Sequence, residues 1–283
     1  MKKVLVTGAN GQLGRCIKDN ASEFPDLSFV FTSKRELDIE NHAQVRDFFQ
    51  NNKIDYCINT AAYTNVEKAE SEQGKAFSLN TEAVKNLALC CKQHNVILLH
   101  ISTDYVFDGK KRTPYTEEDV PNPINVYGAS KLKGEQYIQE ICEMHYIVRS
   151  SWLYSQYGHN FFKTILKYAE EGKSLSITTE QTGTPTNAND LAQFLLGIID
   201  AEEKAYGLYH FSNEGETTWH GFAEAVFKCN PQFDASKLVK TGHYPTFAQR
   251  PKYSVLNCYK AQKIISFKTR NWKDSFIALL KIT

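Results

Sequence analysis

KVLVTGANGQLG, residues 3–14, is the stretch on which the reading of the fold turns. The apolar run over Lys3–Thr7 stops at a glycine, the pattern of a short, fully buried strand. Gly8, Gly11 and Gly14 then give G-x-x-G-x-x-G, and Gln12–Ala21 has helical character. Glycines let a backbone turn tightly and approach a pyrophosphate. The helix behind them offers unpaired N–H groups and the positive end of its dipole. A glycine triplet alone only makes turns. Between a strand and a helix, at the head of a β-α series, it predicts a dinucleotide site on Gly8, Gly11 and Gly14.

That series continues. Leu27–Thr32, Tyr56–Asn59, Val96–Ser102 and Tyr146–Arg149 read as strands. Asn41–Gln50, with Val45, Phe48 and Phe49 on one face, reads as a helix. So do Lys75–His94, covered by Ala76, Leu79, Ala83, Leu87 and Leu89, and Asn125–Met144. Strands alternating with helices imply βαβ units and a parallel sheet. Right-handed crossovers make it doubly wound, with ligands at the carboxyl ends of the strands. The expected class is α/β: a doubly wound Rossmann-type parallel sheet with a smaller α/β substrate-binding lobe. Residues 1–153 form the dinucleotide-binding domain. Residues 154–283 form mainly the second lobe, with helices over Asn160–Glu171 and Thr218–Cys229 and some segments returning to the first domain.

Composition narrows the partners. With 33 basic and 32 acidic residues the net charge is +1, so neither nucleic acid nor an anionic membrane is an expected partner. The apolar run after Lys3 is too short for a signal peptide or a membrane span, and a cytoplasmic location is expected. Seven cysteines without a C-x-x-C pair read as mostly buried thiols. The histidine spacing matches no zinc motif, and no metal is expected.

The end of the second strand separates NAD from NADP: an acid there holds the ribose 2′-hydroxyl, a base accepts a 2′-phosphate. FTSKRELDI (31–39) places Ser33, Lys34 and Arg35 at that point. NADPH is the expected cofactor, with NADH possible, and Asp38 is left to edge the adenine. The third strand delivers NTAAYT (59–64), small residues that let a cofactor pass close. The fourth delivers HISTDYVFDG (100–109), with Ser102, Thr103, Asp104 and Tyr105 at the ligand end.

VYGASK (126–131) follows on a helix. Tyr127 and Lys131 are four apart and share a face. Taken alone this spacing is usually a solvated face. Beside a dinucleotide loop it has a chemical use. Free tyrosine has a pKa of about 10, which a neighbouring lysine cation and an oxidised nicotinamide would lower. Tyr127 then gives a proton to a carbonyl oxygen as hydride reaches the carbon, and Thr103 hydrogen-bonds the same oxygen. The pair reads as catalytic.

The assembled motifs resemble the short-chain dehydrogenase/reductase superfamily in its extended, sugar-nucleotide branch, and within it the dTDP-4-dehydrorhamnose reductase family. The pieces are TGANGQLG (7–14), ELDI (36–39), NTAAYTNVEKAE (59–70), STDYVFDG (102–109), NVYGASKLKGE (125–135), RSSWLY (149–154), TPTNANDLA (184–192), GLYHFSNEGETTW (207–219) and RPKYSVL (250–256). The first and fifth are common to the superfamily; STDYVFDG, RSSWLY and RPKYSVL are narrower. The resemblance implies reduction of the C4 ketone of dTDP-4-dehydro-6-deoxy-L-mannose. It makes Tyr127 the proton donor, Lys131 the residue that holds the nicotinamide ribose and tunes Tyr127, and Thr103 the helper at the carbonyl. Gly11, Gln12 and Leu13 would line the pyrophosphate, Asp38 and Ile39 the adenine, and Ala62, Tyr63 and Thr64 the middle of the cofactor. Asp104 and Trp152 would touch the sugar of a dTDP-deoxysugar substrate. Trp152 also reads as a core aromatic. Arg250 suits the nucleotide phosphates or, equally simply, a salt bridge.

Some family members are magnesium-bridged dimers through a glutamate in the first helix. GQLGRCIKD has Arg15 and Cys16 there, and NWKDSFIALLKIT has no acid after Asp274. A monomer or weak homodimer without metal is expected. Four alternatives keep the same fold. A dehydratase needs T-D-E, whereas Tyr105 follows Thr103-Asp104 here. An epimerase, or a reductase of another deoxysugar nucleotide, could use the same Tyr/Lys pair. A non-catalytic regulatory subunit, like that of methionine adenosyltransferase, would not need the intact set Thr103, Tyr127 and Lys131.

Overall fold

The computed structural model describes residues 1–242, 245–265 and 267–281. Its main sheet has strands β1 (Lys2–Thr7), β2 (Leu27–Thr32), β3 (Tyr56–Asn59), β4 (Ile97–Thr103), β5 (His145–Ser150) and β6 (Gly207–His210). They run in the order β6-β5-β4-β3-β1-β2, all parallel. Alternation along β1 sends Val4 and Val6 into the core on one face and Leu5 into the core on the other, so the strand is buried on both sides. This is the doubly wound Rossmann-type sheet.

The main helices are α1 (Gln12–Asn20), α2 (His42–Asn51), α3 (Ala83–Gln93), α4 (Val126–Ile141), α5 (Phe161–Glu170), α6 (Ala188–Asp200), α7 (Trp219–Lys228) and α8 (Trp272–Leu280). Residues of α1 and α6 fill the Val4/Val6 face, and those of α2, α3 and α4 the Leu5 face. Asparagine side chains cap α2, α4 and α5 from Asn41, Asn125 and Asn160, each accepting an N–H three residues on. No helix among the described residues is long and apolar enough to cross a membrane.

One element differs from the sequence pattern. The expected helix Lys75–His94 is broken by a π-turn at Ser78–Glu82, which turns Asn80 into the interior. Leu89, placed among its covering residues, is 46% exposed. After residue 153 the chain moves between the lobes, and the sequence pattern did not say which segments return. Tyr154, Phe162, Phe222, Trp272 and Phe276 build a separate core of the second lobe. Between its parts, α6 and β6 return to the main sheet, where β6 pairs with β5.

Helix α4 lies very close to its neighbours. A Cβ on Gly128 would collide with the Tyr105 carbonyl oxygen, and one on Gly134 with that of Asn80. Gly134→Ala gains about 1 kcal/mol of helix propensity, yet its methyl meets a backbone oxygen that cannot swing aside. The predicted outcome is a net loss of about 1–3 kcal/mol, seen as a lower urea midpoint with an unchanged slope.

Candidate active site

A cavity of about 1010 Å³ opens at the carboxyl ends of the strands, where the chain order reverses between β1 and β3. One end is built by the glycine turn. Gly8 has φ +65°, and a Cβ there would come within 2.7 Å of the Ala61 nitrogen. Gly11 precedes α1 with no side-chain cap, so the first N–H groups of the helix remain available to an anion. Gly8, Gly11, Gln12 and Leu13 line the cavity. The cradle therefore fits a dinucleotide pyrophosphate. Gly14 lies behind it: a Cβ would be 2.6 Å from Ala9 Cα, so this glycine sets the helix spacing and does not line the cavity.

The Gln12 side chain turns towards the second lobe. Its amide donates to the Leu153 carbonyl, and its oxygen accepts from Ser155 (3.0 Å) and Asn160 (2.7 Å). Ser33, Lys34, Arg35, Asp38 and Ile39 line the rim beyond the turn. Lys34 is ion-paired to Glu40 (2.8 Å) and Asp38 (3.6 Å), and these acids raise its pKa. Ser33 donates to Glu36. Arg35 stands exposed beside them. Ala62 and Thr64 line the middle of the cavity, but Tyr63 does not. Its hydroxyl donates to Glu72 (2.7 Å), and Asn80 clamps its backbone N–H and carbonyl. The sequence pattern of small residues at this strand end did not reveal that turn of the ring.

At the floor of the cavity the end of β4 meets the first turn of α4. Thr103, Asp104, Tyr127 and Lys131 all line it. The Thr103 hydroxyl donates to Asp104 Oδ1 (3.1 Å). Burial pushes the Asp104 carboxyl up to about 7, with hydrogen bonds to Ser254 and Thr103 working against it. Burial also pushes the Tyr127 phenol well above its ordinary value, opposed in part by a hydrogen bond with Thr103. The expectation that Lys131 lowers the Tyr127 pKa is corrected here. The Lys131 Nζ donates to the Ile101 carbonyl (2.6 Å) and lies 3.1 Å from His100 Nε2. Desolvation brings Lys131 itself down to about 8, with Glu135 opposing. Four-residue spacing placed the two residues on one face but could not say where the lysine tip ends.

The outer end of the cavity is aromatic. Trp152 has φ +45° and stacks on Trp219 with ring centroids 3.7 Å apart and planes 9° apart. Phe161 packs on Trp219, and all three line the cavity. Trp152 is thus both packed and exposed to a ligand. Arg250 reaches the cavity while donating to Glu67 (2.7 Å), so the salt bridge is real. Trp219 and Asn80 were missed in the sequence because each lies far along the chain from the motif it supports.

A dinucleotide cradle that leads down to a half-buried tyrosine, a threonine hydroxyl and a lysine defines an NADPH-dependent oxidoreductase of the short-chain type. The family model described as RmlD substrate binding domain matches residues 1–283, and the chain belongs to that family. It is 36% identical to a dTDP-4-dehydrorhamnose reductase of Sinorhizobium fredii, across 96% of this chain and 95% of the relative. It is also 36% identical to one of Aggregatibacter actinomycetemcomitans, across 96% of each. A crystal structure of dTDP-4-dehydrorhamnose reductase from Bacillus anthracis in complex with NADP superposes with a TM-score of 0.94 at 35% identity, over 100% of both chains.

Asp104 gives the fold a pH dependence. Its carboxyl is raised from 3.8 to about 7 on folding, so the folded chain holds that proton where the unfolded chain has lost it. Its contribution therefore favours folding below pH 4 most and declines as the pH rises through 7. Asp104→Asn is predicted to flatten the fall of the melting temperature between pH 4 and pH 8. Identical slopes in the two proteins would refute the shift.

Proposed function

We propose that this chain reduces the C4 ketone of dTDP-4-dehydro-6-deoxy-L-mannose with NADPH to give dTDP-L-rhamnose. One observation supports it most directly: a single cavity joins the glycine cradle of β1 to Thr103 and Tyr127, with Trp152 and Arg250 at its far end. NADPH supplies hydride to the ketone carbon. The glycine turn, Ala62 and Thr64 hold the dinucleotide, and Lys34 and Arg35 offer positive charge to a 2′-phosphate. Tyr127 gives its phenolic proton to the ketone oxygen. Its raised pKa suits that direction, because the phenol stays protonated until a developing alkoxide takes the proton. Thr103 donates a hydrogen bond to the same oxygen and steadies its developing charge. Asp104 and the Trp152 face hold the sugar, and Arg250, already charged and oriented by Glu67, meets the diphosphate. Free thiols throughout the described residues suit the cytoplasm.

The test is substrate-dependent oxidation of NADPH, with dTDP-L-rhamnose identified as the product. Tyr127→Phe is predicted to lower kcat by about 10²–10⁴-fold while the NADPH dissociation constant stays within a factor of about two. Near-normal turnover would remove Tyr127 from the mechanism. Lys34→Ala combined with Arg35→Ala is predicted to weaken NADPH about tenfold or more and NADH little, since charge-assisted contacts contribute about 1.5–3 kcal/mol each. An equal effect on both cofactors would make these bases merely solvated.

A further inference from the structure

Thr7, Asn59 and His100 sit at one register level on the neighbouring strands β1, β3 and β4. Their side chains point to the same face of the sheet and form a chain. The Thr7 hydroxyl donates to Asn59 Oδ1 (2.7 Å), and Asn59 Nδ2 lies 3.1 Å from His100 Nδ1. His100 Nε2 is 3.1 Å from Lys131 Nζ. None of the four residues is more than 2% exposed, so water does not compete.

The far end of the chain fixes who donates. The Ala61 N–H also donates to Asn59 Oδ1, at 3.2 Å. The oxygen of Asn59 therefore faces two donors, and its Nδ2 is the atom that meets the imidazole. His100 Nδ1 accepts, so the neutral ring carries its hydrogen on Nε2. Lys131 then faces a donor. An ammonium would set N–H against N–H there, whereas an amine offers a lone pair. Turning the Asn59 amide over would relieve the conflict but leave the Ala61 N–H without a partner, at a cost of about 1–3 kcal/mol.

We propose that His100 is a positioning residue that sets the charge of Lys131: its Nε2–H favours the lysine amine in the cofactor-free protein, and Lys131 takes up a proton when the cofactor binds. The second half rests on the reading of Lys131 as the residue that holds the nicotinamide ribose, whose hydroxyl oxygens are acceptors for an ammonium. Lys131 donates to the Ile101 carbonyl (2.6 Å), which an amine and an ammonium can both do, and four titratable groups lie around it. His100 on β4 is kept neutral by burial, its pKa well below the ordinary value. Glu135, one turn along α4, favours the ammonium, but it is committed to Arg149 of β5 at 2.6 Å. Tyr127 lies one turn back, and Asp104 follows the end of β4. Burial outweighs Glu135 and leaves Lys131 near 8. Proton uptake is therefore small at pH 6, where Lys131 already holds its proton, and large at about pH 9.

Two measurements test this. Nitrogen-15 NMR of the cofactor-free protein, with His100 assigned by its loss in His100→Gln, reads the tautomer directly. A neutral Nε2–H ring is expected; an Nδ1–H ring or an imidazolium overturns the proposal. Calorimetry of NADPH binding in two buffers of different ionisation enthalpy reads the proton. At about pH 9 the wild type is expected to take up most of one proton. In His100→Gln the amide oxygen can accept from the ammonium, and the uptake is expected to fall by at least half with binding retained. No uptake in the wild type, or equal uptake in the variant, overturns the proposal. Failure to bind NADPH at all would count against the functional reading, and the tautomer measurement then decides the role of His100 by itself.

Discussion

The close seating of α4 against the end of β4 is the constraint on which the rest depends. Two positions on that helix have no room for a methyl group, because the carbonyl oxygens of Tyr105 and Asn80 occupy it. Both carbonyls belong to irregular segments, a single 3₁₀ turn after β4 and the π-turn before α3. The helix can reach the floor of the cavity only because backbone meets backbone there. That approach sets Tyr127 beside Thr103 and brings the Lys131 stem down to the strand. The Asn80 side chain secures the same contact by bonding both Ser130 and the Tyr63 backbone.

Enclosure has one electrostatic consequence for every titratable group at that floor. Desolvation penalises the charged form whatever its sign. It raises Asp104 and Tyr127 and lowers Lys131 and His100. Asp104 and Lys131, which carry charge in water near pH 7, are drawn towards neutrality, and Tyr127 and His100 are held neutral beside them. By contrast, Arg149 and Glu135, equally buried, keep a hydrogen-bonded pair at 2.6 Å. A matched pair tolerates burial; single groups respond by shifting their protons.

Much of this was legible in the residues. The first five strands follow from short apolar runs ended by small or polar residues. The phosphate turn follows from three glycines placed between a strand and a helix. What the pattern did not show depends on distant partners. The quoted segments TPTNANDLA and GLYHFSNEGETTW run into helix α6 and strand β6, but nothing in them says that α6 covers the Val4/Val6 face or that β6 pairs with β5. The direction of the Tyr63 ring depends on Glu72, and the aim of Lys131 on His100, contacts that spacing along one element does not encode. Trp152 was balanced in sequence between packing and ligand contact. Its stack on Trp219, on the wall of the cavity, explains why neither reading excluded the other.

The path of the chain after residue 153 bears on how such a protein can change over evolution. The chain leaves the sheet to build part of the second lobe, returns to lay α6 over one face and β6 along the edge, leaves for α7, touches the sheet's core again at Ala261, and ends in the lobe with α8. The lobe that shapes the outer cavity is consequently not a cassette. A single genetic crossover at residue 153 would exchange the edge strand and a covering helix of the sheet along with it, and the imported pieces would have to match the resident core. New substrate preference in this architecture is acquired by altering individual side chains and loops in place, with the two lobes inherited together.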